Sequence, residues 1–232
     1  LKKPGEIKIY YNDAFDRDMD PALLDYSVID VGVMDVSNFI ISRPNKGSHP
    51  DIFVLGGKKT ILRGNPTTGT AIFNHSNIFH LNKTADANYQ SEKSIVIPPS
   101  SGFNLYDLDS DGHRDLILMN GEKKENSLTI FWGNAKDGFD SSSVTAVPVE
   151  YISAIACADF NSDGIIDIAA GIGRTDSTFE GGSFVIWGKG EREFAVSDIR
   201  VPTSHVGEVL YIKEFGHILF CNGRMARLME DV

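Results

Sequence analysis

A seven-residue phrase recurs four times along the chain: DIFVLGG at 51–57, DLILMNG at 115–121, DIAAGIG at 167–173 and HILFCNG at 217–223. Each copy opens on a polar residue, runs through mostly apolar ones and closes on Gly. Successive copies start 64, 52 and 50 residues apart. A second phrase follows the first three, as TILRGN (60–65), TIFWGN (129–134) and FVIWGK (184–189), and RMARLME (224–230) is a frayed fourth version. An apolar run precedes each copy: VIDVGVMD, GFNLYD, AIACAD and EVLYIK. One unit is therefore a strand, a loop, a strand, a turn and a strand ending in Gly, followed by a connection. Periods of about 40 to 60 residues with several strands each predict the blades of a β-propeller. The apolar runs are nearly continuous, as strands buried on both faces require. An ordinary β-sandwich with accidental similarity is the alternative, and four matched phrases weigh against it.

The predicted fold class is thus all-β, a β-propeller of four-stranded blades with about four repeats in this chain. The units fall at approximately 28–65, 99–134, 151–189 and 206–230, within a single domain or portion of one over 1–232. Residues 66–98 read as an enlarged connection between blades. The opening IKIYYND (7–13) resembles TIFWGN, the last strand of a unit. It either closes the ring against the last blade or marks a piece of a longer propeller; the second reading is preferred, because rings with long blades more often carry six to eight.

Two of the inter-strand loops carry chemistry. They read Asp107-Leu-Asp109-Ser-Asp111-Gly112-His113-Arg-Asp115 and Asp159-Phe-Asn161-Ser-Asp163-Gly164-Ile165-Ile-Asp167. Both obey D-x-[DN]-x-D-G-x-x-D. Carboxylates this close repel one another unless a cation or water screens them. Ca2+ takes six to eight oxygen ligands in a flexible cage. Oxygens at positions 1, 3 and 5 of a tight loop can converge on one point, and Gly at position 6 lets the chain reverse. Position 7, His113 or Ile165, can offer its backbone carbonyl, and Asp at position 9 closes the cage as the next strand begins. An EF-hand would need Glu at position 12 and flanking helices. Position 12 is Leu118 or Ala170, and the sequence that follows is strand-like. Mg2+ prefers a smaller octahedron, and Zn2+ wants His or Cys. The alternative for one such loop is a solvated acidic turn; two loops at matching points of a repeat argue for metal. In the first unit, Asp35, Ser37 and Asn38 start a degenerate loop that expands to Asp51. The fourth unit has lost the cage.

These phrases, LYDLDSDGHRDLILMNG and CADFNSDGIIDIAAGIG above all, resemble FG-GAP/VCBS repeats of integrin-α-like propellers and bacterial surface proteins. WGNAKDGF is similar to the linking turn between blades in that family. The resemblance covers roughly residues 28–232. It implies a Ca2+-stabilised propeller, extracellular or at the cell surface, whose metal sites are structural. It carries the metal-ligand role to Asp107, Asp109, Asp111, His113 and Asp115, and to Asp159, Asn161, Asp163, Ile165 and Asp167. The implied partners are a protein or glycan ligand, with further blades or another domain.

Charge and composition narrow the remaining classes. The formal net charge of −10 argues against sequence-independent binding to nucleic acid, which needs Lys and Arg. No apolar run approaches bilayer-spanning length, and no signal peptide is read at the start. Cys157 and Cys221 read as free buried thiols in comparable strands. Sequons stand at Asn74 and Asn82. No nucleophile elbow, P-loop or dinucleotide fingerprint is present. The histidines are scattered, and His217 reads as a polar residue at a strand start. Trp132 and Trp187 occupy equivalent positions and read as packing between sheets rather than as sugar platforms. The leading function is non-enzymatic recognition or adhesion. The rival is the propeller portion of a polysaccharide lyase or hydrolase.

Overall fold

The computed structural model describes residues 6–10, 26–30, 35–42, 51–61, 71–83, 89–98, 100, 102–120, 127–134, 138–173, 182–203 and 205–222. Every element of regular structure among them is a β-strand. The chain divides into two compact units, Leu1–Pro99 and Ser100–Val232.

The first unit holds two antiparallel sheets. Strands β1 (Glu6–Tyr10) and β2 (Tyr26–Asp30) pair with each other. Strands β3 (Asp35–Ser42), β4 (Asp51–Ile61), β5 (Ala71–Lys83) and β6 (Tyr89–Ile97) form a four-stranded meander in chain order. Several expectations change here. The opening strand finds its described partner in β2, the next strand of its own unit. Of the run VIDVGVMD, residues 28–30 lie in β2 and Asp35 opens β3, and 31–34 lie outside the described residues. Thr60 and Ile61, read as a new strand, are the tail of β4, which stays paired with β5 out to Ile61↔Ala71 across a bulge near Lys58. Within the stretch 66–98, expected to be a connection, residues 71–83 and 89–97 are strands β5 and β6, the outer half of the sheet, and 66–70 and 84–88 lie outside the described residues. The asparagines of both sequons, Asn74 and Asn82, lie in β5. Asp35, Ser37 and Asn38 lie in strand β3 rather than in a loop. Asp35 pairs with Gly57 and Asp51 with Ser42, so the two acids stand at opposite ends of one ladder. At about 3.3 Å per residue they are roughly 20 Å apart, too far to share an ion. Residues 43–50, the rest of that expected loop, lie outside the described residues.

The second unit carries the repeat in its clearest form. Strands β7 (Gly102–Tyr106), β8 (Asp115–Met119), β9 (Leu128–Asn134) and β10 (Gly138–Val147) make one antiparallel meander. Strands β11 (Ile152–Ala158), β12 (Asp167–Ile172), β13 (Phe184–Gly190) and β14 (Glu193–Val196) make the next. Strands β15 (Val206–Ile212) and β16 (His217–Asn222) follow as a hairpin. The second phrase of each repeat, TIFWGN or FVIWGK, is the third strand of its sheet. WGNAKDGF joins β9 to β10, which pair at Asn134↔Gly138. Its two ends therefore belong to one sheet, and it does not link two sheets. RMARLME lies outside the described residues.

Consecutive sheets of this second unit stack face to face. Strand β11 abuts β7 and β8, and β15 abuts β11 and β12. All of DLILM and all of DIAAGI are buried, which is why these phrases are continuous apolar runs. One core joins Ile117, Leu128 and Ile130 of the first meander to Ile155, Ile168 and Ile186 of the second. A smaller one joins Ala154, Ala156 and Ala169 to Val206 and Val209. Strand β16 departs from the pattern. It alternates, with Ile218 and Phe220 packed inward and Leu219 exposed. Trp132 is 3% exposed and donates its indole N–H to Thr145 Oγ1 at 3.0 Å. It packs between strands, as expected of it. His217 opens β16, also as expected.

The cysteines are both free but are not equivalent. Cys157 lies in β11, the first strand of its sheet, and Cys221 in β16, the second of its own. Burial pushes the Cys157 thiol up to about 12, with the Asp115 charge adding to the effect. Cys221 is exposed, against expectation. A thiolate-seeking reagent at pH 8 should modify Cys221 at once and reach Cys157 only after denaturant is added. Equal labelling rates in the native protein would contradict this placement.

Candidate metal centre

The two acidic loops join β7 to β8 and β11 to β12, at Tyr106↔Asp115 and Ala158↔Asp167 in the respective ladders. They share one geometry. Ser110 and Ser162 have φ of 60° and 61°, and Gly112 and Gly164 have 88° and 85°. Two left-handed residues within three positions fold the chain sharply back, and Gly takes the wider angle without strain.

The backbone N–H groups inside each loop point at its acids. Asp107 accepts from Asp111 at 3.1 Å on Oδ1 and from Gly112 at 3.0 Å on Oδ2. Asp159 accepts from Asp163 at 3.1 Å and from Gly164 at 2.9 Å in the same way. The position-3 side chains, Asp109 and Asn161, each accept from the N–H two residues on, at 3.3 and 3.0 Å. Asp111 and Asp163 accept from His113 and Ile165, both at 2.8 Å. These are Asx-turns, the local bonding for which Asp and Asn are suited.

Position 9 differs in kind. Asp115 and Asp167 are fully buried. Asp115 Oδ2 accepts from Leu108 N–H at 2.8 Å and Oδ1 from Gly133 N–H at 2.8 Å. Asp167 does the same with Phe160 and Gly188, both at 3.0 Å. One carboxylate thus ties the start of its own loop to the third strand of the sheet. Burial pushes the Asp115 carboxyl up to about 6, against the pull of its two N–H donors and helped by the charges of Asp109 and Asp111. Asp167 is raised for the same reasons.

The glycines that receive this tie could not be other residues. A Cβ on Gly133 would lie 2.3 Å from the Arg114 carbonyl oxygen, and one on Gly188 would lie 2.4 Å from that of Ile166. The third strand must approach the loop's end this closely for its N–H to reach the acid. In the sequence the Gly of TIFWGN and FVIWGK stands only as part of a phrase. Its recurrence beside an invariant position-9 Asp in the same two units was the available signal.

The donor set fits a hard divalent cation. One carboxylate oxygen from each of Asp107, Asp109 and Asp115 lies within 4.8 Å of the others. All are oxygen, with no thiol or imidazole in the trio, which suits Ca2+ rather than Zn2+. Asp111 stands outside this trio, turned to His113 N–H. In the second loop Asn161 occupies the position of Asp109, so its convergent carboxylates are fewer. His113 and Ile165 are brought to the loops through their N–H groups.

Residues 107–170, which span both loops and the strands between them, match the family model of the FG-GAP-like repeat. This stretch is an FG-GAP-like repeat, on which the sequence reading and the matched motif agree. No curated protein and no solved structure shows significant similarity to the chain.

Proposed function

We propose that this chain forms blades of a Ca2+-stabilised β-propeller that serves protein or glycan recognition outside the cell. The observation that carries this reading is the duplicated oxygen-lined loop, set at the same end of two stacked four-stranded meanders. The succession of first strands, β7 against β11 and β11 against β15, supports a propeller, in which first strands line the centre. FG-GAP-like repeats often bind calcium and typically occur in extracellular proteins, which supports both the ion and the location. Extracellular calcium is abundant enough to fill even loops of millimolar affinity.

In this reading the side-chain oxygens of positions 1 and 3, a carboxylate at Asp109 and an amide at Asn161, hold the ion together with the buried acid at position 9. The ion in turn fixes the hairpin that joins the first two strands of each blade. Its role is structural, and recognition belongs to the surface that the braced loops present.

Excess chelator should therefore lower the melting temperature by several degrees, and added calcium should restore it. A site filled at a hundredfold excess over its dissociation constant contributes about 2.7 kcal/mol by mass action. Identical melting curves with calcium and with chelator would contradict a structural ion. A glycan array and a pull-down on surface proteins, each run with and without chelator, test the recognition role.

A further inference from the structure

We propose that Arg192 is a built-in counter-charge of the first loop, holding Asp109 and thereby lowering that loop's affinity for its cation relative to what its carboxylates alone would give. This rests on the calcium reading above and adds to it a control on one site by the neighbouring sheet. Arg192 belongs to the hairpin between β13 and β14, in the sheet next to the one that carries the first loop. Its Nε donates to Asp109 Oδ2 at 2.8 Å, and its Nη2 lies 2.8 Å from the same oxygen. Nη2 also lies 3.8 Å from Asp111 Oδ2, and Nη1 donates to Ser143 Oγ at 3.2 Å. The guanidinium carbon sits 4.6 Å from the centre of the Trp132 ring. Trp132 in turn stacks on Phe194 of β14, with ring centres 6.3 Å apart and planes within 12°. The fork is thus held on its face, at its edge and at its tip, across the junction of two sheets.

Three observations make this more than a surface ion pair. The first is the choice of partner: Arg192 grips position 3, where the two loops differ, Asp109 in one and Asn161 in the other. Among the described residues no cation pairs with the acids of the second loop. The second is the occupancy of Asp109 itself. Oδ2 receives Arg192 and Oδ1 receives the Asp111 N–H at 3.3 Å, so a metal that binds Asp109 must share or displace a donor already in place. The third is the turn. Glu191 and Arg192 have φ of 51° and 66°, and Gly190 pairs with Glu193 across them. Two-residue turns of this hand favour Asn and Gly, and long charged side chains pay conformational strain there. This strained turn is what carries the Arg192 side chain across to Asp109. Arg114 is also on the loop, but it is exposed, where water screens its charge.

The amide signals of Gly112 and Gly164 give separate reports on the two loops, because each N–H donates to the position-1 Asp of its own loop. Calcium titration of the full chain, followed at these two signals by NMR, is the test. Arg192→Met keeps the length and apolar contact with Trp132 and removes the charge. It should tighten calcium binding at the Gly112 signal about tenfold, the order expected for one unit charge removed close to a partly screened divalent ion. The Gly164 signal should titrate as in the wild type. Arg192→Lys keeps the charge and should leave the first loop within about threefold of the wild type. A part played only in packing would lower the melting temperature of both variants without separating their affinities. Unchanged or weaker binding at Gly112 in Arg192→Met, with calcium still bound at Gly164, would overturn this inference and leave the calcium reading intact. No calcium-dependent shift at either signal in the wild type would overturn both.

Discussion

Gly188→Ala should destabilise the second unit by about 3 kcal/mol or more, with Gly133→Ala close behind. Overfilling a packed site usually costs about 1–3 kcal/mol, because nearby side chains move aside. Here the obstacle is a backbone carbonyl, that of Ile166, 2.4 Å from the new methyl. It cannot rotate away without breaking the approach of β13 to the loop. The strand would have to withdraw, and the Gly188 N–H would lose the Asp167 carboxylate. Gly207→Ala is the matched control, since a methyl there meets nothing within 4 Å. Urea titration of the three variants, read by tryptophan fluorescence and circular dichroism, decides the matter. Gly188→Ala as stable as Gly207→Ala would show that the close approach is not needed.

Asp167→Asn is the second large effect, expected at about 3 kcal/mol, with Asp115→Asn similar. The carboxylate accepts from both Phe160 and Gly188. An amide offers one acceptor oxygen, so its NH2 must face the other N–H. A buried donor left unsatisfied costs about 1–3 kcal/mol, and more where the lost partner was charged. Asp198→Asn, at an exposed position, should change little. The pH dependence follows from Asp115. In chelated protein its acid is pushed up to about 6 from an ordinary 3.8. Between these values the folded state keeps a proton that the unfolded chain has lost. This group's contribution is most favourable below the unfolded value and declines as pH rises through the folded one. Calcium-loaded protein should lack that decline, because the ion demands the ionised carboxylate. Denaturation midpoints of wild type and Asp115→Asn, measured in chelator between pH 4 and 7, test the sign. A midpoint difference that stays constant with pH would contradict it.

The middle of the chain was legible for a physical reason. DLILM and DIAAGI are buried on both faces, so burial leaves an unbroken apolar run that is visible without knowledge of the fold. The loops between them obey local chemistry, Asx-turns and left-handed Gly, which is written in consecutive residues. The first unit was less legible because its strands do not announce themselves. AIFNHSNIFHLNK intersperses polar residues through β5, and DIFVLGGKKTI runs through a Gly pair that looks like a turn. In β4 both glycines stay in the ladder, opposite Val36 and Asp35 on one side and Asn77 and Ser76 on the other. Cys221 was expected inside because an unmodified Cys usually behaves as a small buried apolar residue, yet β16 packs on one face only. What no local pattern could show is contact between distant residues. Arg192 meets Asp109 across 83 positions, and Gly133 meets Asp115 across 18. Such pairs exist only once sheets stack and third strands fold back.

The most direct measurement is calorimetric titration of calcium into chelator-stripped protein, repeated with Asp107→Ala and Asp159→Ala. These acids stand at position 1 of the two loops, each accepting two backbone N–H groups. The expected result is at least two ions bound per chain, with one lost in each single variant and both lost in the double. Full calcium binding in the double variant, or none in the wild type at millimolar calcium, would contradict the claim that these loops are cation cages bracing neighbouring strands.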